Sequence, residues 1–190
     1  MNFLGHIYFS GDDFDLAIAN LFGDFTKGKK YEQFPEIVQR GVLLHRSIDQ
    51  FIDHHEKVVK LVYQLQPELP KVASVAVDLY FDHLLAKHWA QFHTKDLADY
   101  LKEFYAHIVA QKHLYPTGYQ QFLEKMEAYN WMIHYAELDG LKKMCDGINR
   151  RLSFESALTN GVTVFLNNQP DIESTFFAYM KDAKSHFFVK

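Results

Sequence analysis

The chain has 190 residues, 48% of them hydrophobic and 23% charged, and carries a formal net charge of −4. That length fits one domain, and that balance excludes an intrinsically disordered chain while leaving enough apolar side chain for a core. The acidic balance argues against a general nucleic-acid binder, and the single cysteine, Cys145, excludes both an intramolecular disulfide framework and a thiolate zinc site.

Apolar residues recur at helical spacing almost throughout, and Gly and Pro are sparse at 9 and 5. This predicts an all-α fold with one helical domain over residues 1–190 and no repeat or linker. A short helix is expected over Asn2–Ser10. Asp12 or Asp13 can cap a second helix running to about Phe25. Thr26–Phe34, with Lys27, Gly28, Lys29 and Lys30, reads as a loop. Pro35 suits the first turn of a long helix. Its apolar stripe is Ile37, Val38, Gly41, Leu44, Ile48 and Ile52, and it bends near His54–His55 before ending at Leu65. Pro67 and Pro70 punctuate the chain there. Another long helix is expected from about Lys71 to Phe92, and Thr94 is expected to cap the next, to about Lys112. After Pro116 three or four further helices follow, broken near Gly140, Ser153, Gly161 and Pro170. No run of about 18 apolar residues occurs, so no membrane span is expected. Met1–Gly11 lacks the basic start of a signal peptide, and the expected location is the cytoplasm.

Polar clusters fall on this frame. His45-Arg46-x-x-Asp49-x-x-x-Asp53 places residues 45, 49 and 53 along one helix face, beside the apolar stripe. Asp78-x-x-x-Asp82-His83 places Asp82 on the line of Val75, Leu79, Ala86 and Trp89, which is expected to face the core. A carboxylate there needs a partner. Asn20-x-x-x-Asp24 sets Asp24 near a helix C-terminus, where the macrodipole disfavours it. His6 sits in the first helix. Each has a purely structural account: an Arg46–Asp49 surface pair, an Asp82 satisfied by Arg46 or a backbone donor, an Asp24 turn cap, a core His6. Arg150-Arg151 is either an anion binder or a solvated pair.

Taken together, His6, Asp24, His45, Asp49, Asp82 and His83 come from four predicted helices. Helical domains build metal sites from inward-pointing side chains on facing helices. His and carboxylate donors without thiolate suit Mn²⁺, Fe²⁺, Zn²⁺ or Mg²⁺. Such a site suits hydrolysis of a phosphate ester, with Arg46 or Lys27 neutralising phosphate charge. No nucleophile-elbow, phosphate-loop, HExxH or GxGxxG motif is present.

In order and spacing, Met1-Asn-Phe-Leu-Gly-His6, Asn20-x-x-x-Asp24-Phe-x-x-Gly28, Gly41-x-x-x-His45-Arg46-x-Ile-Asp49-x-x-x-Asp53 and Asp82-His-x-Leu-x-x-His88-Trp89 resemble the acyl carrier protein phosphodiesterase family. Weaker similarity continues through Tyr105-Ala-His107, Met126–Tyr135 and Gly147–Arg151. The resemblance implies a distorted HD-phosphohydrolase-like helical fold and a metal-dependent hydrolase, with Mn²⁺ favoured. Its reaction would cleave the phosphodiester between 4′-phosphopantetheine and the carrier protein's serine. Residue by residue, it implies His45, Asp82 and His83 as metal ligands, with Asp24 and His6 behind them. Asp49 would ligate the metal or orient His45, Arg46 would hold a phosphate oxygen, the general acid would be His88 or no residue at all if the metal suffices, and Asn20 would fix Asp24. Such carrier proteins are acidic, so Lys27, Lys29 and Lys30, next to Asp24, are expected to form a basic docking rim. Two other readings stay open: a phosphohydrolase acting on a nucleotide or small phosphodiester, and a non-catalytic helical module binding an acidic partner. Metal coordination requires neutral His45 and His83, so activity is expected to fall below about pH 6.

Overall fold

The helical periodicity is realised along the whole described chain, residues 1–188 of a computed structural model. Among these residues there are ten α-helices and no strand. They are α1 (Phe3–Phe9), α2 (Phe14–Leu21), α3 (Glu36–His54), α4 (Glu56–Leu65), α5 (Ala73–Lys87), α6 (Leu97–Gln111), α7 (Thr117–Tyr129), α8 (Leu138–Asn149), α9 (Gly161–Asn167) and α10 (Gln169–Phe187). The all-α expectation is met. Among the described residues no helix is long and apolar enough to cross a membrane.

Local chemistry explains most boundaries. Asp13 caps α2, its Oδ1 accepting the Leu16 amide at 2.9 Å. α2 stops at Leu21, and Phe22–Phe25 tighten into a 3-10 turn that carries Asp24. The expected bend at His54–His55 is a clean break, because His55 takes extended backbone at φ −68°, ψ 118°. Asp96, not Thr94, holds the position before α6. The four helices after Pro116 are interrupted near Gly140, Ser153, Gly161 and Pro170, as expected. Gly140 lies in the first turn of α8, where a Cβ would run into the His134 carbonyl. Gly161 opens α9, and Pro170 sits in the first turn of α10, where its missing N–H leaves nothing unpaired.

α2 packs along α3, and α1 lies against α2 and α5. α10 covers α4 and α5, while α8 packs on α5 and α9. Gly41 permits the α2–α3 approach, since a Cβ there would strike Ala19. The abundant aromatics are mostly core: Tyr80, Phe81, Phe104, Phe165, Phe176 and Tyr179 are fully buried. The result is that α1, the end of α2 and the middle of α3 converge on one point.

Candidate metal centre

His6 on α1 and His45 and Asp49 on α3 meet at that point. One donor atom from each lies within 4.8 Å of the others. The imidazoles of His6 and His45 stack at 4.1 Å, 15° from parallel. His6 Nε2 is 3.2 Å from Asp49 Oδ1, and His45 Nε2 is 3.2 Å from Asp49 Oδ2. Asp24 joins from the 3-10 turn, its Oδ1 3.5 Å from His45 Nε2. Both histidines are buried, while the Asp49 side chain is 45% exposed and opens onto solvent. Gly23 gives the His45 ring its room, because a Cβ at that position would collide with the imidazole.

The hydrogen bonds around His6 fix its tautomer. The Asn20 side-chain nitrogen donates to the His6 carbonyl at 2.9 Å and to Ser10 Oγ at 3.0 Å. Its oxygen must therefore be the atom facing His6 Nδ1, at 3.0 Å. An amide oxygen only accepts, so Nδ1 carries the proton and donates. Neutral His6 then turns a bare Nε2 lone pair toward a carboxylate. Two acceptors in contact need a proton or a cation between them. Stacked imidazolium rings would repel, so two protons are a poor solution. One divalent cation satisfies both histidines and the carboxylates, and the Nδ1 bond to Asn20 is the supporting bond a metal-binding histidine makes. The residues present fit a hard or borderline divalent ion with N and O donors. Asn20 thus serves His6 rather than Asp24.

The titration of the cluster follows from the same contacts. Burial opposes charge on His45, but its bonds to Asp24 and Asp49 push its pKa up to about 9. Burial lowers His6, with the Asp49 bond opposing. Burial works to raise Asp49, yet His45 and His6 hold it well below the usual carboxylate range. Asp24 behaves alike: burial opposes, and His45 holds it below its ordinary value.

The structure does not bring Asp82 and His83 to this cluster. Asp82 is fully buried and caps α1 from a distance in sequence, accepting the amides of Asn2 at 3.2 Å, Leu4 at 2.7 Å and Gly5 at 3.1 Å. Burial pushes its pKa up to about 7, although the surrounding donors favour the carboxylate. His83, one position around the helix, faces away: its Nδ1 donates to the Tyr135 carbonyl at 2.7 Å and its ring packs edge-on against Phe165. Asp82 is therefore the residue that holds α1, and with it His6, in place. Asp82→Ala is expected to lower the unfolding free energy by about 2–4 kcal/mol, because several buried donors lose their acceptor. Asp82→Asn keeps one acceptor oxygen and loses less. Urea titration measures both, and wild-type stability in Asp82→Ala would contradict the capping role.

The remaining candidates lie around the site. Arg46 Nη2 donates to the Gly28 carbonyl at 2.7 Å, and its guanidinium sits 4.9 Å from the Tyr31 ring centroid. It ties down the lysine loop instead of reaching the cluster. Lys27, Lys29 and Lys30 are exposed on that loop, directly after the Asp24 turn. His88 stands at the C-terminal end of α5 against Phe177 and Glu173 of α10, and does not line the metal cavity.

His6, Asp24 and Asp49 open into a cavity of about 600 Å³ that is also lined by Asp53 and by Asp78, which is paired with the Met1 ammonium at 2.9 Å. A second cavity of about 640 Å³ adjoins it. The two share Asn2, Phe3, Phe122, Ile148 and Arg151. Arg151 is the one Lys or Arg side chain lining the metal cavity among the described residues. Its sequence signal, the Arg150-Arg151 pair, does not say which of the two reaches the site.

A family model described as acyl carrier protein phosphodiesterase matches residues 1–183. Relatives named acyl carrier protein phosphodiesterase include that of Enterobacter sp. (strain 638), 25% identical over 94% of this chain and 93% of its own length. The Yersinia pestis relative is 25% identical over 98% of both chains. That of Photorhabdus laumondii is 26% identical over 94% of this chain and 91% of its own. No solved structure is significantly similar to the chain.

Proposed function

The chain belongs to the acyl carrier protein phosphodiesterase family, and on that footing we propose that it hydrolyses the phosphodiester joining 4′-phosphopantetheine to the serine of an acyl carrier protein. The observation that carries this reading is the pair of histidine Nε2 atoms turned onto Asp49, a carboxylate that lines an open cavity together with His6 and Asp24. His6, His45 and Asp49 would hold the divalent ion, with Asp24 beside them, and Mn²⁺ suits this donor set. When bound, such an ion polarises a phosphoryl oxygen and lowers the pKa of a coordinated water. Asp24, the more exposed carboxylate, is placed to take the proton of the attacking water. Water oxygen bonds to phosphorus and the bond to the serine oxygen breaks. That oxygen leaves with a proton, and the phosphate stays on the pantetheine. Lys27, Lys29 and Lys30 flank the Asp24 turn and supply a basic surface for an acidic carrier protein.

Intact-protein mass of a holo acyl carrier protein, incubated with this protein and Mn²⁺ or with EDTA, tests the reading. The expected result is loss of the phosphopantetheine mass with Mn²⁺ only. Retention of the full mass under every metal tried would overturn the substrate.

A further inference from the structure

We propose that the second cavity, between α7 and α8, receives the pantetheine arm of the substrate, and that Arg151 holds the phosphate at the passage between the two cavities. The inference rests on the phosphopantetheine reading above and assigns the part of the site that recognises the non-protein half of the diester. That half is a long chain with a dimethyl carbon, amides and a thiol end. It needs an apolar trough next to the phosphate.

The adjoining cavity has that form. At about 640 Å³ it matches the size of a small-molecule site. Its floor is aromatic and preassembled: Phe3 and Phe122 lie 5.3 Å apart, and Trp131 stands 6.2 Å from Phe122. Such a floor loses little freedom when an arm is laid on it. Its cations, Lys125, Lys143, Arg150 and Arg151, are exposed at the edge. Among the described residues no carboxylate lies within 4.0 Å of Arg151, and only the Gly147 carbonyl accepts from its Nε, at 3.3 Å. A guanidinium so placed can offer paired donors to a phosphate.

Charge decides the direction. Asp78 is neutralised by the Met1 ammonium at 2.9 Å, whereas Asp53, with no ion-pair partner among the described residues, lines the metal cavity and repels an anionic diester. The Arg151 side attracts it. A phosphate at the metal therefore points its arm past Arg151, over Phe3 and Phe122, into the second cavity.

Gly147 on α8 lines this cavity, and a Cβ there meets nothing within 4 Å. Gly147→Leu therefore starts its side chain in open space at the trough and improves helix propensity. Calorimetry with free 4′-phosphopantetheine is expected to show binding at least tenfold weaker. The ratio of kcat/KM for holo carrier protein to that for bis(p-nitrophenyl) phosphate, which has no arm, is expected to fall at least tenfold. Gly118→Leu on α7, equally free of contacts and exposed, is the control and is expected to match wild type. Arg151→Gln is expected to weaken 4′-phosphopantetheine tenfold but not pantetheine, which lacks the phosphate. Unchanged affinity and an unchanged ratio in Gly147→Leu would overturn the assignment even if wild type cleaves holo carrier protein. If wild type cleaves no carrier protein but Gly147→Leu weakens 4′-phosphopantetheine binding, the cavity assignment stands and the reaction assignment falls.

Discussion

Asp49→Ala is expected to lower kcat/KM on holo acyl carrier protein by about 10³-fold or more, the equivalent of several kcal/mol of lost transition-state stabilisation. Asp49 is the side chain that touches both His6 and His45, each at 3.2 Å. Without it the two histidines share no anionic partner and a divalent ion loses a charged ligand. The fold is not at stake, because the Asp49 carboxylate is half-exposed and caps nothing. Far-ultraviolet circular dichroism is expected to match wild type, and excess Mn²⁺ to restore part of the rate. Activity within tenfold of wild type would contradict the assignment of Asp49 as a ligand. Asp49→Asn keeps the shape and loses the charge, and is expected to fall between the two.

Apparent Mn²⁺ affinity is expected to rise about tenfold per pH unit from pH 6.5 toward pH 9 and then to level off, as one displaced proton requires. The proton is the one on His45. Its pKa, raised from 6.5 to about 9, keeps the metal-free ring charged at neutral pH. His6, lowered by burial, brings no second proton there. Calorimetry in buffers of different ionisation enthalpy would count one proton released at pH 7, and a flat affinity over this range would contradict the coupling. The sign for stability follows. A raised histidine pKa stabilises the metal-free fold fully below 6.5, and that contribution is lost as pH rises through about 9. Asp49, lowered, contributes above its ordinary range, and that part is lost as pH falls. With ordinary histidines activity would fall below about pH 6. Asp24 and Asp49 move the window upward, and no spacing argument assigns Asp24 to His45.

Much of the frame is legible in the residues. Helical periodicity marks almost every helix, Asp13 and Pro170 sit where capping chemistry puts them, and the i, i+4 spacing of His45 and Asp49 places both on one edge of α3. What fails is tertiary. The helix break near Gly140 is legible, but the close approach of Gly140 to the His134 carbonyl is not. Asp82 on an apolar face can be a ligand or a cap, and only the amides of Asn2, Leu4 and Gly5 decide it. The sequence points to Arg46 for the phosphate and leaves the Arg150-Arg151 pair as an anion binder or a solvated pair. The Gly28 carbonyl and the Tyr31 ring claim Arg46, leaving Arg151 at the cavity.

The most direct test is anomalous diffraction from crystals of the protein grown with Mn²⁺. The predicted result is a single strong peak about 2.0–2.3 Å from His6 Nε2, His45 Nε2 and an Asp49 oxygen, the range for such metal–ligand bonds. A peak at Asp82 or His83, or no peak at the histidine pair, would contradict the metal centre described here.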